Sequence, residues 1–524
     1  MEEPMVDCLF IGHNEIITDN YMKDIEQYGI GSEIYRNKKM SAILYNDKYF
    51  SATDIYNIAF QEEKKRQLSF TDTLNAAIAF LASYIYERGY SFKFINSFRN
   101  QQDELIYILQ NEKIGLVVIP TTLYVAASPI IEIIKVVREY LPTAKIVVGG
   151  PYIYSQVRYM NELTLNYLFR SMNADYYIYN SEGQESLVRL IESCIHKKVD
   201  IETVPNIYYR QGRKYKYTYY YEENIPLETN IVNWSLFSGY KKAILKTANS
   251  CPFHCKFCTY PEHAGKYKYL SVDEIEKQMV EIQKCGIEHL HIIDDTFNVP
   301  GERFKEILKM MIRNKFRFRW NSFLRCQFID DETAKLMKDA NCVGVFLGIE
   351  SANQRVLDSM NKNAKIEDMK RGLRYLHKYG INTIASFVIG FPGEDEQSVK
   401  DTYDFIMELK PTLFKPNLWY CDNVAPIFKE RDLLGIKGDE FKWQHNTYDS
   451  MKAISCMEAM MKEIDVSVFL PSHNFDTDAF FQLVAEFDIE SVLNYMKAFN
   501  KYVYKSDFAN EDFNLLIELA RKIR

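Results

Sequence analysis

Twice along this chain, short runs of β-forming apolar residues alternate with amphipathic helical stretches, and that alternation leaves few architectures open. The first run opens with Met5–Ile11 (MVDCLFI), an apolar strand closed by Gly12. A polar, tyrosine-rich and weakly periodic stretch, Asn14–Ser69, gives no clear element. A helix is predicted over Thr71–Arg88, with Leu74, Ile78, Leu81 and Ile85 on one face and Gly89 as its stop. Strands at Ser91–Ile95, Gly115–Ile119, Lys145–Val148 and Asp175–Tyr179 then interleave with helices at Asp103–Leu109, Pro129–Tyr140 and Glu185–Ile195. This order implies a parallel, doubly wound (Rossmann-like) sheet with helices on both faces.

The second run starts at Ala243–Thr247. Further strands are predicted at His289–Ile293, Arg319–Phe323, Val343–Ile349, Thr383–Ile389 and Lys415–Tyr420. Between them lie helices up to Lys284, capped by Ser271 and Glu274, and at Glu302–Asn314, Asp331–Ala340, Ile366–Tyr379 and Val399–Leu409. The strand–helix repeats imply a partial (β/α)6 barrel, in which chemistry sits at the C-terminal ends of the strands. From about Glu430 the strand signal fades, and the tail is helical at Ile489–Tyr502 and Glu511–Arg524. The expected α/β organisation is therefore a sheet domain over 1–200, a tyrosine-rich linker over 201–240, a barrel over 241–425 and a mostly helical, substrate-capping region over 426–524.

Composition narrows the function classes. A net charge of −7 over 524 residues argues against a nucleic-acid partner, which usually demands a basic excess. The most apolar stretch, Leu74–Ile85, is too short to span a membrane and is interrupted by Asn75 and Ser83. The acidic start Met1-Glu2-Glu3-Pro4 lacks the pattern of a signal peptide, so a cytoplasmic location is expected. Of ten cysteines, Cys8, Cys194, Cys285, Cys326, Cys342, Cys421 and Cys456 are scattered, whereas Cys251, Cys255 and Cys258 fall within one loop. In a large reduced protein, such a cluster suggests metal rather than disulfides.

The loop reads Asn249-Ser250-Cys251-Pro-Phe-His-Cys255-Lys-Phe-Cys258. Three thiolates can hold three irons of a cubane cluster and leave the fourth iron without a protein ligand, open to a small molecule and to one-electron transfer. Structural zinc competes, because His254 and His263 are near enough in sequence to complete four ligands. A redox pair, Cys255 with Cys258, would leave Cys251 unexplained.

C-x-x-x-C-x-x-C after the first strand of a (β/α) barrel resembles the radical S-adenosylmethionine (SAM) superfamily, over about Ala243–Leu418. The resemblance implies a [4Fe–4S] cluster on Cys251, Cys255 and Cys258, which are the metal ligands and the catalytic centre. SAM would chelate the open iron and be cleaved to methionine and a 5′-deoxyadenosyl radical that abstracts hydrogen from the substrate. It also implies SAM contacts: Phe257 near adenine; Asp295, in the Asp294-Asp295-Thr-Phe297 end of the second strand; Arg325 after the third; Glu350 and Ser351 in Gly348-Ile-Glu-Ser; and Ile389 and Gly390 in Ile-Gly-Phe391-Pro392-Gly393. Strand-end glycines and aspartates also occur simply as turns and caps.

In the N-terminal half, Leu116–Thr122 (LVVIPTT), Ile146–Pro151 (IVVGGP) and Asn180-Ser-Glu182-Gly183-Gln-Glu185 resemble cobalamin-binding domains. The implied contacts are Thr121, Thr122, Gly149, Gly150, Ser181, Glu182 and Gly183. The D-x-H-x-x-G motif that supplies a cobalt ligand in one group is absent, and His13 is a candidate for that role or a surface histidine. Val6–Glu15 (VDCLFIGHNE) and Thr121–Val125 (TTLYV) are similar to a methylase subgroup that includes the phosphinothricin-tripeptide P-methyltransferase. The resemblance thus implies a cobalamin-dependent radical SAM methyltransferase acting on carbon or phosphorus of a small molecule or peptide, served by an electron donor such as flavodoxin or ferredoxin. The alternative is a non-methylating rearrangement, cyclisation or oxidation, or a sensor that has lost catalysis. Trp419, Tyr420, Asp422, Trp443 and His445 are candidates for the substrate pocket or for core packing.

Overall fold

The computed structural model describes residues 5–69, 72–471 and 477–524. Met1–Pro4, on which the reading of the N-terminus rests, and Thr71, the predicted first residue of a helix, lie outside them. The chain divides into two compact units, Met1–Glu15 with Ser69–Ala243 and Ile16–Leu68 with Ile244–Arg524.

The first unit is built on strands β1 (Val6–His13), β2 (Phe92–Ser97), β3 (Ile114–Pro120), β4 (Ile146–Gly149), β5 (Tyr176–Ile178), β6 (Ile207–Gln211) and β7 (Lys214–Tyr217), in the order β2-β1-β3-β4-β5-β6-β7. The first five pair in parallel, and β6 and β7 add antiparallel. β-Branched residues fill the centre: Val117, Ile119, Ile146 and Val148 are fully buried. The helix Ser128–Tyr140 lays Ile130, Ile133, Ile134 and Val137 against the same core. The winding direction reverses between β1 and β3, which leaves a crevice at the C-terminal edge where doubly wound sheets bind ligands.

Residues 201–240 were expected as a linker, but part of this stretch forms β6 and β7 and so extends the first sheet. The tyrosines that read as polar turns are packing residues: Tyr208 and Tyr215 meet the ring of buried Phe169 edge-on at 5.2 and 5.5 Å. The helices Pro151–Tyr159 and Glu162–Met172 were also not anticipated.

The second unit carries β8 (Lys242–Leu245), β9 (His289–Ile292), β10 (Arg319–Leu324), β11 (Cys342–Glu350), β12 (Asn382–Ile389), β13 (Leu413–Leu418) and β14 (Val468–Phe469), side by side in chain order. Pairing is parallel from β9 through β14. The row has β8 and β14 as its two ends, as in a partial barrel. It holds one strand more than the expected six, because β14 is only two residues long and leaves no periodic trace. A hairpin of Lys437–Asp439 with Lys442–Gln444 also lies where no strand was expected. The covering helices are strongly amphipathic: Gly301–Arg313 buries Phe304, Ile307, Leu308 and Met311.

The stretch Ile16–Leu68 also belongs to this second unit. It forms the short helices Thr18–Glu26, Glu33–Lys39 and Ala52–Ala59, the last capped reciprocally by Ser51 and Asp54. Arg521 and Tyr495, from the C-terminal helices, donate hydrogen bonds to the carbonyls of Ala59 and Ala52. Among the described residues no helix is long and apolar enough to cross a membrane.

Candidate functional site

The cysteine loop leaves the C-terminal end of β8 and is fixed from two sides. On one side stands Asp294, buried at the end of β9. Its carboxylate accepts from the Thr247 amide at 2.6 Å, the Ala248 amide at 3.0 Å and the Thr247 hydroxyl. Burial pushes the Asp294 carboxyl upward in pKa, and these hydrogen bonds, with the neighbouring Arg303 charge, oppose that. Arg303 in turn donates to the Thr247 carbonyl at 3.0 Å and to its hydroxyl at 2.9 Å. On the other side, the Lys256 amide donates to the Met360 carbonyl at 2.8 Å, and the Asn361 side chain donates to the His254 carbonyl at 2.7 Å.

Cys255 is buried, while Cys251 and Cys258 are half-buried. Burial raises the Cys255 thiol, with Lys362 and Arg325 acting against it and Glu350 and Cys251 acting with it. Burial raises Cys258 to about 11, assisted by the neighbouring thiols. Cys251 lies 3.9 Å from the Thr296 hydroxyl. Among the described residues no three Cys, His, Asp or Glu side chains converge on a point that one metal ion could occupy, and His254 is exposed. A cluster would take the three thiolates on three different irons.

The ends of β10 to β12 bring further predicted residues to this loop. Arg325, directly after β10, donates to Cys255 Sγ at 3.1 Å. Glu350, the last residue of β11, has left-handed backbone (φ 66°) and accepts from Lys362 Nζ at 2.7 Å in a pair with side chains only 11% and 5% exposed. Gly348 leaves room for this pair: a Cβ there would lie 2.5 Å from Glu350 Oε1 and 3.0 Å from Lys362 Nζ, so the two side chains would have to shift. Ser351 is fully buried beside it. Lys362 Nζ also stands 5.9 Å from the centre of the Phe257 ring.

After β12, Phe391 meets Phe257 edge-on at 6.3 Å and Trp419 at 5.7 Å. The Gly390 amide donates to Glu394, and the Gly390 carbonyl accepts from His445 at 3.0 Å. Trp443 stacks on His445 and donates to the Trp419 carbonyl at 2.8 Å. Trp419, Trp443 and His445 are thus buried packing around the Ile389–Gly390 turn, whereas Tyr420 is 48% exposed. Asp295, beside buried Asp294, is exposed at the surface, yet its charge acts on Cys258; desolvation raises its carboxyl to about 6, against a hydrogen bond from the Tyr260 side chain.

In the first unit the predicted contacts collect at the C-terminal edge of β3, β4 and β5. The Thr121 amide donates to the Gly149 carbonyl at 2.8 Å, tying the β3 and β4 exits together. Gly150 has φ 114°, and a Cβ on it would meet Thr121 Oγ1 at 2.9 Å. Thr121 is fully buried, yet its hydroxyl has no hydrogen-bond partner among the described residues. Asn180 accepts from the amides of Glu182 and Gly183 at 2.9 and 3.3 Å, shaping the turn into the helix Gln184–Cys194. Glu182 is turned toward the Ile225 amide, which donates to it at 3.2 Å, while Ser181 and Thr122 are exposed. His13 ends β1 with its ring 5.5 Å from that of Tyr124.

The model of the radical SAM superfamily matches residues 245–406, the segment from the end of β8 into the helix after β12. The chain carries a radical SAM domain. Among its relatives are an uncharacterized methyltransferase of Pyrococcus horikoshii, 25% identical over 52% of this chain and 60% of its own length, and the anaerobic magnesium-protoporphyrin IX monomethyl ester cyclase of Cereibacter sphaeroides, 24% identical over 68% of this chain and 60% of its own. The chain thus spans 60% of the length of these relatives. The structure of the radical SAM methyltransferase TsrM from Kitasatospora setae with cobalamin and [4Fe–4S] cluster bound superposes with a TM-score of 0.63, at 16% identity, over 86% of this chain and 96% of that one. That likeness establishes a shared fold extending beyond the radical SAM domain.

Several residues of the radical SAM domain escaped sequence reasoning. Lys362 carries no motif and reaches Glu350 only because the chain folds back after the short helix Gln354–Ser359. Glu394, fully buried, follows the Gly390–Gly393 turn and holds it through the Gly390 amide. Burial raises its carboxyl to about 8. The one available signal was a carboxylate placed directly after a glycine turn, and a solvated cap explains such a residue equally well.

Proposed function

We propose that this protein is a radical SAM methyltransferase that carries its methyl group on cobalamin. The observation that carries the reading is the three-cysteine loop at the end of β8, anchored by Asp294 and faced by Arg325, Lys362 and Glu350. Its donor set suits a [4Fe–4S] cluster: three thiols on one loop and a buried cation against one of them. In the first unit, the unpartnered Thr121 hydroxyl at the crevice edge suits a large polar ligand such as cobalamin. When bound, the cluster with SAM supplies one-electron access to a substrate radical, and cobalamin supplies the methyl group.

The chain's own residues prepare this chemistry. Cys255 and Cys258 are protonated in the free protein and give up their protons as they ligate metal. The carboxylate of Glu350, held by Lys362, offers an acceptor for the ammonium group of SAM. Phe257, backed edge-on by buried Phe391, provides aromatic surface for adenine, and protonated Glu394 keeps the Gly390 turn in place. The substrate is a small molecule or peptide, the electron donor a flavodoxin or ferredoxin, and the setting cytoplasmic. A second reading, a cobalamin-binding radical SAM enzyme that cyclises or oxidises without methylation, is favoured by the likeness to the cyclase.

The two separate in one experiment that needs no known substrate. Reconstituted protein is reduced and given SAM bearing a deuterated methyl group. Formation of 5′-deoxyadenosine together with deuterated methylcobalamin is expected. Deoxyadenosine without label on cobalamin selects the second reading, and neither product defeats both.

A further inference from the structure

Sequence reasoning placed Arg325 among the SAM contacts; its guanidinium also makes contacts within the protein itself. Nη2 donates to Cys255 Sγ at 3.1 Å and Nη1 donates to the Lys362 carbonyl at 2.7 Å. The guanidinium lies 3.5 Å from the centre of the Phe253 ring, and the backbone is clamped by Asn298, which accepts from the Arg325 amide at 3.0 Å and donates to its carbonyl at 2.8 Å. Both terminal nitrogens and one face are therefore engaged, and the residue is only 4% exposed.

The charge balance around it is one-sided. Among the described residues no carboxylate forms an ion pair with Arg325, and the nearby Glu350 is paired with Lys362. The Glu350–Lys362 pair is neutral as a whole, whereas Arg325 stands against Cys255 with no carboxylate partner among the described residues. A buried cation is little screened by salt. Hydrogen bonds to cluster sulfurs and local charge are the levers by which a protein sets a cluster's potential. A fixed cation stabilises the reduced cluster, which is one charge more negative, more than the oxidised one.

We propose that Arg325 raises the reduction potential of the cluster through its charged hydrogen bond to Cys255, easing entry of the electron. This rests on the cluster reading above. It makes Arg325 a tuning and positioning residue for the cluster.

The test is a redox titration of the reconstituted protein, followed by electron paramagnetic resonance, in the wild type, R325M and R325K. Methionine removes both charge and donor at similar length. Lysine keeps the charge but cannot make both contacts. The expected result is wild-type iron content in R325M with a more negative midpoint, and about tenfold less reduced cluster at a fixed potential, equivalent to about 59 mV for one electron. R325K is expected to lie between. A purely structural role would change iron content or unfolding temperature and leave the potential alone, so an unchanged midpoint in an iron-replete R325M overturns the proposal. If R325M assembles no cluster, R325K decides: a lowered midpoint supports the proposal and an unchanged one overturns it. A wild-type chain that binds no iron overturns the cluster reading itself.

Discussion

The two parallel sheets present opposite kinds of C-terminal edge. At the ends of β8 to β12 the chain gathers buried ionisable groups and gives most of them a partner: Asp294 and Arg303 with Thr247, Glu350 with Lys362, Arg325 with Cys255, Glu394 with the Gly390 amide. At the ends of β3 to β5 it gathers small residues and one unpartnered hydroxyl, and its acidic group, Glu182, is turned toward a backbone amide. The first edge manages charge, which suits electron transfer to an ionic ligand. The second manages shape, which suits a broad ligand lying against the sheet. On the proposed reading, one architecture serves two chemistries through what stands at its strand ends.

Substitutions should separate the edges. The largest effect is expected from Cys255→Ala, which should abolish iron incorporation, read as iron content and visible absorbance, while leaving cobalamin retention as in the wild type. Next, Lys362→Met leaves Glu350 buried without its partner and should destabilise by about 3–5 kcal/mol. Denaturant unfolding measures this, and adding Glu350→Gln should recover much of the loss. At the other edge, Gly150→Ala forces a side chain into a φ of 114° and ψ of −167°, costing about 1–3 kcal/mol. It should weaken cobalamin retention on desalting with iron content unchanged. A variant that loses iron instead would erase the distinction between the edges.

A further contrast is expected in pH dependence. Burial lowers His13 in the first unit from 6.5 to about 4, so its contribution to stability is complete above pH 6.5 and is lost as pH falls toward 4. Burial raises Glu394 in the second unit from 4.5 to about 8, so its contribution is complete below pH 4.5 and is lost as pH rises toward 8. Unfolding midpoints across pH should therefore lose acid sensitivity in His13→Gln and alkaline sensitivity in Glu394→Gln. The reverse assignment would show that these burials do not govern the profile.

Much of this was legible in the sequence, for identifiable reasons. Core strands such as Ile114–Pro120 and Cys342–Glu350 announce themselves because a parallel strand buried on both faces is a nearly continuous apolar run. The cysteine loop was legible because ligand spacing is local. What stayed hidden depends on tertiary partners. The helices of Ile16–Leu68 run to at most nine residues, too short for periodicity to register, and they take their stability from elements more than 400 residues later, as in Tyr495 reaching Ala52. Strands β6 and β7 are tyrosine-rich and looked like turns until packed on Phe169. Arg325 was found, but its contact with Cys255 crosses 70 positions and no motif encodes it.

The central claim, two metal cofactors held by two different edges, is tested most directly by anaerobic reconstitution with iron, sulfide and hydroxocobalamin, followed by desalting and metal analysis. The account predicts about four irons and about one cobalt per chain, with a cluster absorbance that disappears in Cys255→Ala. Zinc in place of iron would contradict the cluster, and four irons with no retained cobalt would contradict the cobalamin site.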